Sequence, residues 1–380
     1  MTGIKNTEHR SKSAPSTLIS DGRWKWLLAT GLFLIAFVLY LLTTTHNGLI
    51  GQVFQPTEKV KMRLGGFSPD NRLLTYDFCR GNNCYAGLLD LHSGKVTKLS
   101  PPDTDEWWSS GCFSPSGKYL VFVVNRKAEN SRWSQLGLFD IATKSLTKLT
   151  HSQSLKEFPS FSPDEKRLIY AQANRERKSG QTRFSDWDIY ELDIDTGQER
   201  RLTNYEFFLI GSPFYLPDGK KFIFSGDAPS RFLGKVGREA NEAYKKLYQD
   251  NTIFILGNGA DELRPAFTNG QLSHSPKVSM DGKRIMYKAT SQDLNRLAGQ
   301  PTLGYTYDLF MLEDGRHRRL TNLKSSLRGM TMSSDGSLIA FFSEPEGNGE
   351  IELWLLDVLL NQSKRIETGA DSLFSKGHNK

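Results

Sequence analysis

Apolar and polar positions alternate along short stretches of this chain, and polar corners separate the stretches. In Phe161 to Tyr170, F-S-P-D-E-K-R-L-I-Y, Leu168 and Tyr170 recur at period 2, as a half-buried strand requires. Ser162-Pro163-Asp164 is turn chemistry, because proline presets φ and aspartate can bond its own backbone two residues on. Asp188 to Ile194 reads as a second strand, Asp195-Thr196-Gly197 as a tight turn and Glu199 to Leu202 as a third strand. The unit is a small antiparallel sheet, and it recurs.

Six copies begin at Phe67, Phe113, Phe161, Tyr215, Val278 and Met332, spaced 46, 48, 54, 63 and 54 residues apart. The turn position holds Asn71, Gly117, Glu165, Gly219, Gly282 and Gly336. Five residues on, every copy has an aromatic: Tyr76, Phe122, Tyr170, Phe224, Tyr287 and Phe341. These aromatics read as core between the sheets. Asn71 can replace glycine at φ > 0, but Glu165 does so at a cost, which predicts a different turn there. Repeats of roughly 40–50 residues with about four short strands each imply propeller blades. The expected fold is all-β: a six-bladed propeller of four-stranded antiparallel blades over residues 58–368. Lys59 to Leu64 reads as a strand that could close the ring on the outer edge of the last blade.

S-P-D-G-K-(K/R) before an apolar pair and an aromatic, then D-h-(F/Y) and R-R-L-T-N, resembles the WD-like repeats of TolB-type β-propellers. The resemblance covers about 310 of the 380 residues. It implies the propeller and a habit of binding proteins in the cell envelope. The N-terminal α/β domain of that family has no counterpart in this reading.

Residues 1–23 are polar and without periodicity, and read as a disordered cytoplasmic tail. From Trp24 to Thr45 the chain is apolar after Lys25, long enough for a helix to cross a hydrocarbon core of roughly 30 Å. A cleaved signal peptide is the alternative, but its apolar region is normally shorter and ends in small residues. Lys5, Arg10, Lys12, Arg23 and Lys25 precede its apolar run, and no lysine or arginine follows until Lys59. The positive-inside rule therefore predicts a single-pass anchor in a bacterial inner membrane, N-terminus cytoplasmic and propeller periplasmic. Residues 46–57 read as a linker and 369–380 as a loose tail.

The net charge of +7 comes without an arginine stripe or basic arm, so no nucleic-acid partner is expected. Cys79 and Cys84 flank a four-residue loop between two strands of the first blade. An oxidising compartment would let them pair; free thiols are the alternative, and two thiols alone do not make a metal site. Cys112 reads as buried and inert. Arrangements such as G-x-S-x-G, H-E-x-x-H or a Walker loop do not occur. The chain is therefore read as not an enzyme, with no cofactor and no metal. His151 and His274, placed in inter-blade loops, are weak metal candidates, and Asp103, Asp105 and Glu106 read as a solvated acidic loop.

Strand alternation sorts the connections onto two faces. One face keeps the short corners. The other receives the insertions Arg126 to Trp133, Ala173 to Asp186, Asp227 to Asp250 and Thr290 to Tyr305. Within the third, Ala240, Ala243, Tyr244, Leu247 and Tyr248 fall on one helix face, either docked on the propeller or free for a partner. The inserted face carries the candidate contacts Trp107, Trp108, Trp133, Arg175, Arg177, Arg183, Phe207, Phe208, Phe232, Arg238 and Tyr305. Arginine with aromatic residues is the composition of interface hot spots, and the basic excess suits an envelope protein with an acidic segment or an anionic glycan. The expectation is a membrane-anchored periplasmic module that binds or scaffolds proteins. The alternative is a propeller that binds or cleaves polysaccharide near its axis.

Overall fold

The computed structural model describes residues 61–80, 83–99, 105–126, 133–176, 184–207, 209–226, 252–257, 263–267, 271–291, 306–323, 326–344 and 351–366. Its strands form six four-stranded antiparallel sheets. Blade 1 is Lys61–Phe67, Leu73–Arg80, Asn83–Asp90 and Val96–Lys98; blade 2 is Glu106–Phe113, Tyr119–Arg126, Ser134–Asp140 and Ser145–Lys148. Blade 3 is Lys156–Phe161, Arg167–Glu176, Phe184–Asp193 and Glu199–Arg201; blade 4 is Ile210–Tyr215, Lys221–Gly226, Thr252–Gly257 and Arg264–Pro265. Blade 5 is Ser273–Val278, Arg284–Thr290, Tyr307–Glu313 and Arg316–Arg319; blade 6 is Ser326–Met332, Leu338–Glu344, Glu352–Asp357 and Gln362–Ile366.

Each sheet is built from four consecutive strands. Lys61–Phe67 pairs with Leu73–Arg80 of its own blade, not with the edge of blade 6. The sequence reading of this segment as an outer closing strand is thereby corrected. Gln362–Ile366 already fills that edge. The apolar segment at 24–45 and the amphipathic stretch at 240–248 lie outside the described residues. Among the described residues, no helix is long and apolar enough to cross a membrane.

The period-2 pattern explains where the core sits. Alternate side chains of a strand face opposite neighbours, so each seam between blades becomes its own apolar cluster. Tyr76, Phe122, Tyr170, Phe224, Tyr287 and Phe341 are all at most 2% exposed. Each packs against the blade before it: Phe122 with Ala86, Tyr170 with Val121, Phe224 with Ile169, Tyr287 with Ile223, Phe341 with Met286 and Tyr76 with Phe342. The last of these pairs closes the ring, side chain against side chain.

The corners share one geometry. The turn residue has φ between 58° and 74° in all six, Asn71 and Glu165 included. Its N–H donates three residues back, as from Glu165 to Ser162 at 3.0 Å and from Gly219 to Leu216 at 2.9 Å. The different turn expected at Glu165 is not formed. Its carboxylate instead accepts from the N–H and hydroxyl of Ser116 in blade 2, which offsets a left-handed backbone that costs roughly 1 kcal/mol or more. Asn71 likewise donates to Asp335 of blade 6 at 2.9 Å.

The D-h-(F/Y) and R-L-T motifs meet on the outer pair of strands. Asp188 is fully buried and accepts from the Thr203 hydroxyl, the Tyr205 N–H, Arg201 and Asn174. Burial pushes its carboxyl up, and the donors around it pull it down. Asp308 repeats the arrangement with Thr321, Leu323, Arg319 and Ser291. Blade 6 keeps an ion pair there, Arg365 to Glu352 at 3.0 Å. Blade 1 lays Lys98 over the Tyr85 ring at 3.5 Å. The motif thus ties the short fourth strand to the third. Cys79 and Cys84, Cα atoms 4.0 Å apart, are joined by a disulfide across the second and third strands of blade 1.

Candidate functional site

The first strand of every blade is innermost, and together these six strands wall an axial cavity of about 720 Å³. Its lining runs from Met62, Arg63 and Glu157, near the starts of the strands, to Pro69, Pro115, Pro163 and Pro217 at the corners. It therefore spans from the inserted face toward the trimmed one.

Each inner strand departs from regular pairing with its neighbour at a matching place, between Leu64 and Phe67, Ser109 and Cys112, Gly211 and Phe214, His274 and Lys277, and Leu327 and Gly329; blade 3 does so opposite Ile169 and Ala171. Bulges bend a strand and re-aim its side chains. Phe158, Ser212 and Ser275 sit there with φ of 55°, 51° and 57°, each followed by proline. The Phe158 ring, 37% exposed, is turned into the cavity wall.

The cavity carries few charges. Burial raises the Glu157 carboxyl, and Arg63 opposes that shift. Burial lowers the Lys277 ammonium and raises the Cys112 thiol, each partly offset by the other. Both groups line the cavity, from blades 2 and 5. Cys112, expected to be buried and inert, is half-buried: it lines the cavity and packs on the cluster of Val121, Phe161 and Tyr170. The Lys277 ammonium lies 5.3 Å from the Phe214 ring centre. Met62, Met280, Met330 and Met332 supply much of the remaining wall.

The structure redistributes the residues expected on the inserted face. Trp108 is 5% exposed and packs on Phe122 and Phe139 at 5.4 and 5.8 Å between ring centres. Phe207 is fully buried against Phe224 and Phe254, its backbone bridged to Trp187. Both are core and leave the set of contact candidates. Trp107 is half-buried on the inner strand of blade 2 rather than in a loop, and Trp133 is 37% exposed beside blade 2. Arg175 pairs with Asp186 at 3.0 Å, because the second and third strands of blade 3 extend to Glu176 and back from Phe184. Much of that expected loop is strand. Arg177, Arg183, Phe208, Phe232, Arg238 and Tyr305 lie outside the described residues.

His274 lies within the inner strand of blade 5, not in a loop, and its ring meets Tyr307 edge-on at 4.9 Å. Burial and the nearby Lys288 hold its pKa well below the usual histidine value. His151 is exposed after blade 2. Glu106 belongs to a strand and pairs with Lys148 at 2.5 Å. Among the described residues, no three of His, Cys, Asp and Glu gather as a metal site. Sequence reading missed Arg63, Glu157, Phe214 and Lys277. Their signal was positional, one to four residues before the repeat's first aromatic or apolar anchor, but bulges hide which of them faces the axis.

No family model matches the chain. The Tol-Pal system protein TolB of Francisella tularensis subsp. mediasiatica is 23% identical over 253 residues, 66% of this chain and 48% of that protein. TolB of the tularensis strain SCHU S4 matches to the same extent. The chain spans about half the length of the curated relatives it matches. Among solved structures, TolB from Acinetobacter baumannii aligns at a TM-score of 0.54 and 18% identity, over 83% of this chain and 66% of that one. An oligogalacturonate lyase in complex with manganese aligns at 0.52 and 16%, over 80% and 78%. The oligogalacturonate lyase of Vibrio parahaemolyticus aligns at 0.51 and 13%, over 82% and 79%. At these identities the likeness is one of fold. It corrects the reading of the chain as not an enzyme: lyases share this propeller, so the missing sequence motifs do not exclude catalysis.

Proposed function

We propose that the chain is an envelope propeller, held at the inner membrane by its N-terminal apolar segment, that binds a protein partner through its inserted face. One observation supports the reading: with the strands paired in chain order, the second strands of blades 2 to 5 end, and their third strands begin, on the face opposite the corners. The opposite face is occupied by its own structure, corner bonded to corner through Asn71 and Asp335, Ser116 and Glu165, and Arg167 and Gly219. Function on rigid scaffolds tends to sit on such loops. The similarity to TolB supports an extracytoplasmic place for the propeller.

The test compares two variants of the full chain in capture from native membranes. One replaces Trp107, Trp133 and Arg175 with alanine; the other replaces Lys118, Lys220 and Lys283 beside the corners. Capture should fall at least tenfold for the first alone. Equal capture by both, or loss only in the second, refutes the face. A periplasm-dependent reporter fused after Lys380 should be active, and a mature N-terminus beyond Thr45 would show a cleaved signal instead.

A further inference from the structure

Lys277, half-buried on the inner strand of blade 5, differs from Lys156 and Lys288. Lys156 is fully buried but donates to the hydroxyls of Ser152 and Ser154 at 2.8 and 2.7 Å. Lys288 donates to the Leu327 carbonyl at 3.4 Å and lies over the Tyr307 ring. Lys277 has neither a hydrogen bond nor an ion pair among the described residues. Its ammonium lies 5.3 Å from the Phe214 ring centre. An ammonium drawn partly out of water with no protein partner gains from an anion that joins it.

The space before it has a definite character. Its volume, about 720 Å³, lies within the range of small-ligand sites, roughly 300–1,000 Å³. Phe158, Phe214, Met330 and Met332 form an apolar patch in a wall that also carries Ser212, Ser275 and Thr331. Methionine adapts to irregular apolar shapes and makes favourable contacts with aromatic rings. Glu157 stands toward the inserted face, at the other end of its strand from the corner near which Lys277 lies. A ligand with a carboxylate at one end and an apolar body fits this gradient.

We propose that the axial cavity is a binding site for a small carboxylate with an apolar, preferably aromatic, body, its carboxylate paired with the Lys277 ammonium. The methionine and phenylalanine patch offers contact to an apolar body and no partner to the hydroxyls of a sugar acid. This site is independent of the protein-binding face and stands or falls separately from it. Binding converts the unpartnered ammonium into a charge-assisted hydrogen bond.

The experiment uses the full chain in detergent and titration calorimetry with three probes: 4-phenylbutyrate, 4-phenylbutanol and glucuronate. Phenylbutyrate should bind with one site per chain. The alcohol and the sugar acid should each bind at least tenfold more weakly. Lys277→Gln should weaken phenylbutyrate at least tenfold, and Lys288→Gln, a lysine outside the cavity, should leave it within twofold. Glu157→Gln should tighten it about twofold by removing a like charge. Thermal unfolding of each variant separates loss of binding from loss of fold, and Lys277→Arg should restore binding in part. Unchanged affinity in Lys277→Gln, equal losses in Lys277→Gln and Lys288→Gln, no binding of phenylbutyrate, or a preference for glucuronate would each overturn the proposal.

Discussion

The seam between blades 3 and 4 and the seam between blades 6 and 1 do the same job by different means. The first holds the larger apolar cluster, with Trp187, Phe207, Phe222, Phe224 and Phe254. It adds a buried ionic knot: Glu191 takes Arg167 at 3.2 Å, Arg200 at 2.7 Å and the Tyr215 hydroxyl. The second closes the ring with no exchanged strand. It relies on Phe67, Leu74, Tyr76 and Phe78 against Phe342, Leu353 and Leu355, with one exposed hydrogen bond from Asn71 to Asp335. The comparison teaches that closure here is a matter of packing, because the same aromatic register serves both seams.

The sharpest test truncates that register on both sides. Phe224→Ala and Tyr76→Ala should each cost about 4 kcal/mol in urea unfolding, as large-to-small changes in a core do. A cost below about 1 kcal/mol for Tyr76→Ala would mean that packing does not close the ring. Next comes the ionic knot. Glu191→Ala should cost about 2 kcal/mol, since it leaves the buried Tyr215 hydroxyl without its acceptor and takes one partner from Arg167, which keeps Asp164 and Gly219. The closing seam's described cross-blade polar bond is the exposed one from Asn71 to Asp335, so the two seams should part company here.

The disulfide stiffens the blade at one side of the closing seam. Closing so short a loop is worth about 2 kcal/mol, so dithiothreitol should lower the urea midpoint. Free thiols at both Cys79 and Cys84 in mass spectra of exported, non-reduced protein would remove this difference between the seams. A smaller effect tests Asn71. Asn71→Gly keeps the left-handed backbone and loses only the bond to Asp335, so it should cost at most about 1 kcal/mol. The smallest concerns acid. Partial burial pushes the Asp335 carboxyl up, but Ser333, Ser337 and Asn71 together hold it down at about 2. A carboxyl depressed on folding contributes stability above its unfolded value near 3.9, and that contribution is lost as pH falls toward 2. Asp335→Asn should flatten acid unfolding in that window and leave the curve above pH 5 parallel to wild type.

What could be read in the sequence was local. Period 2 and Ser-Pro-Asp chemistry are fixed by neighbours a few residues away, so the blades, the corners and the six aromatics were legible. Trp108 and Phe207 misled because exposure is decided by chain far off in sequence: Phe122 and Phe139 cover one, Phe224 and Phe254 the other. Glu165 misled for the same reason, since its left-handed turn is compensated by Ser116 of another blade. The axial site was hidden most deeply. A one-residue bulge reverses which side chain faces inward, and Lys277 beside Pro276 gives no alternation from which to read its direction.

Because every sheet is one uninterrupted run of chain, a polypeptide that emerges from its N-terminal end can finish each blade in order of arrival. No early segment has to wait, with its backbone unpaired, for a late one to reach it. A delivery halted between blades would leave a stack of complete sheets with one greasy face uncovered. That is the kind of intermediate a chaperone can shield by touch. The only step reserved for the end is the docking of two finished faces, the last to arrive against the first.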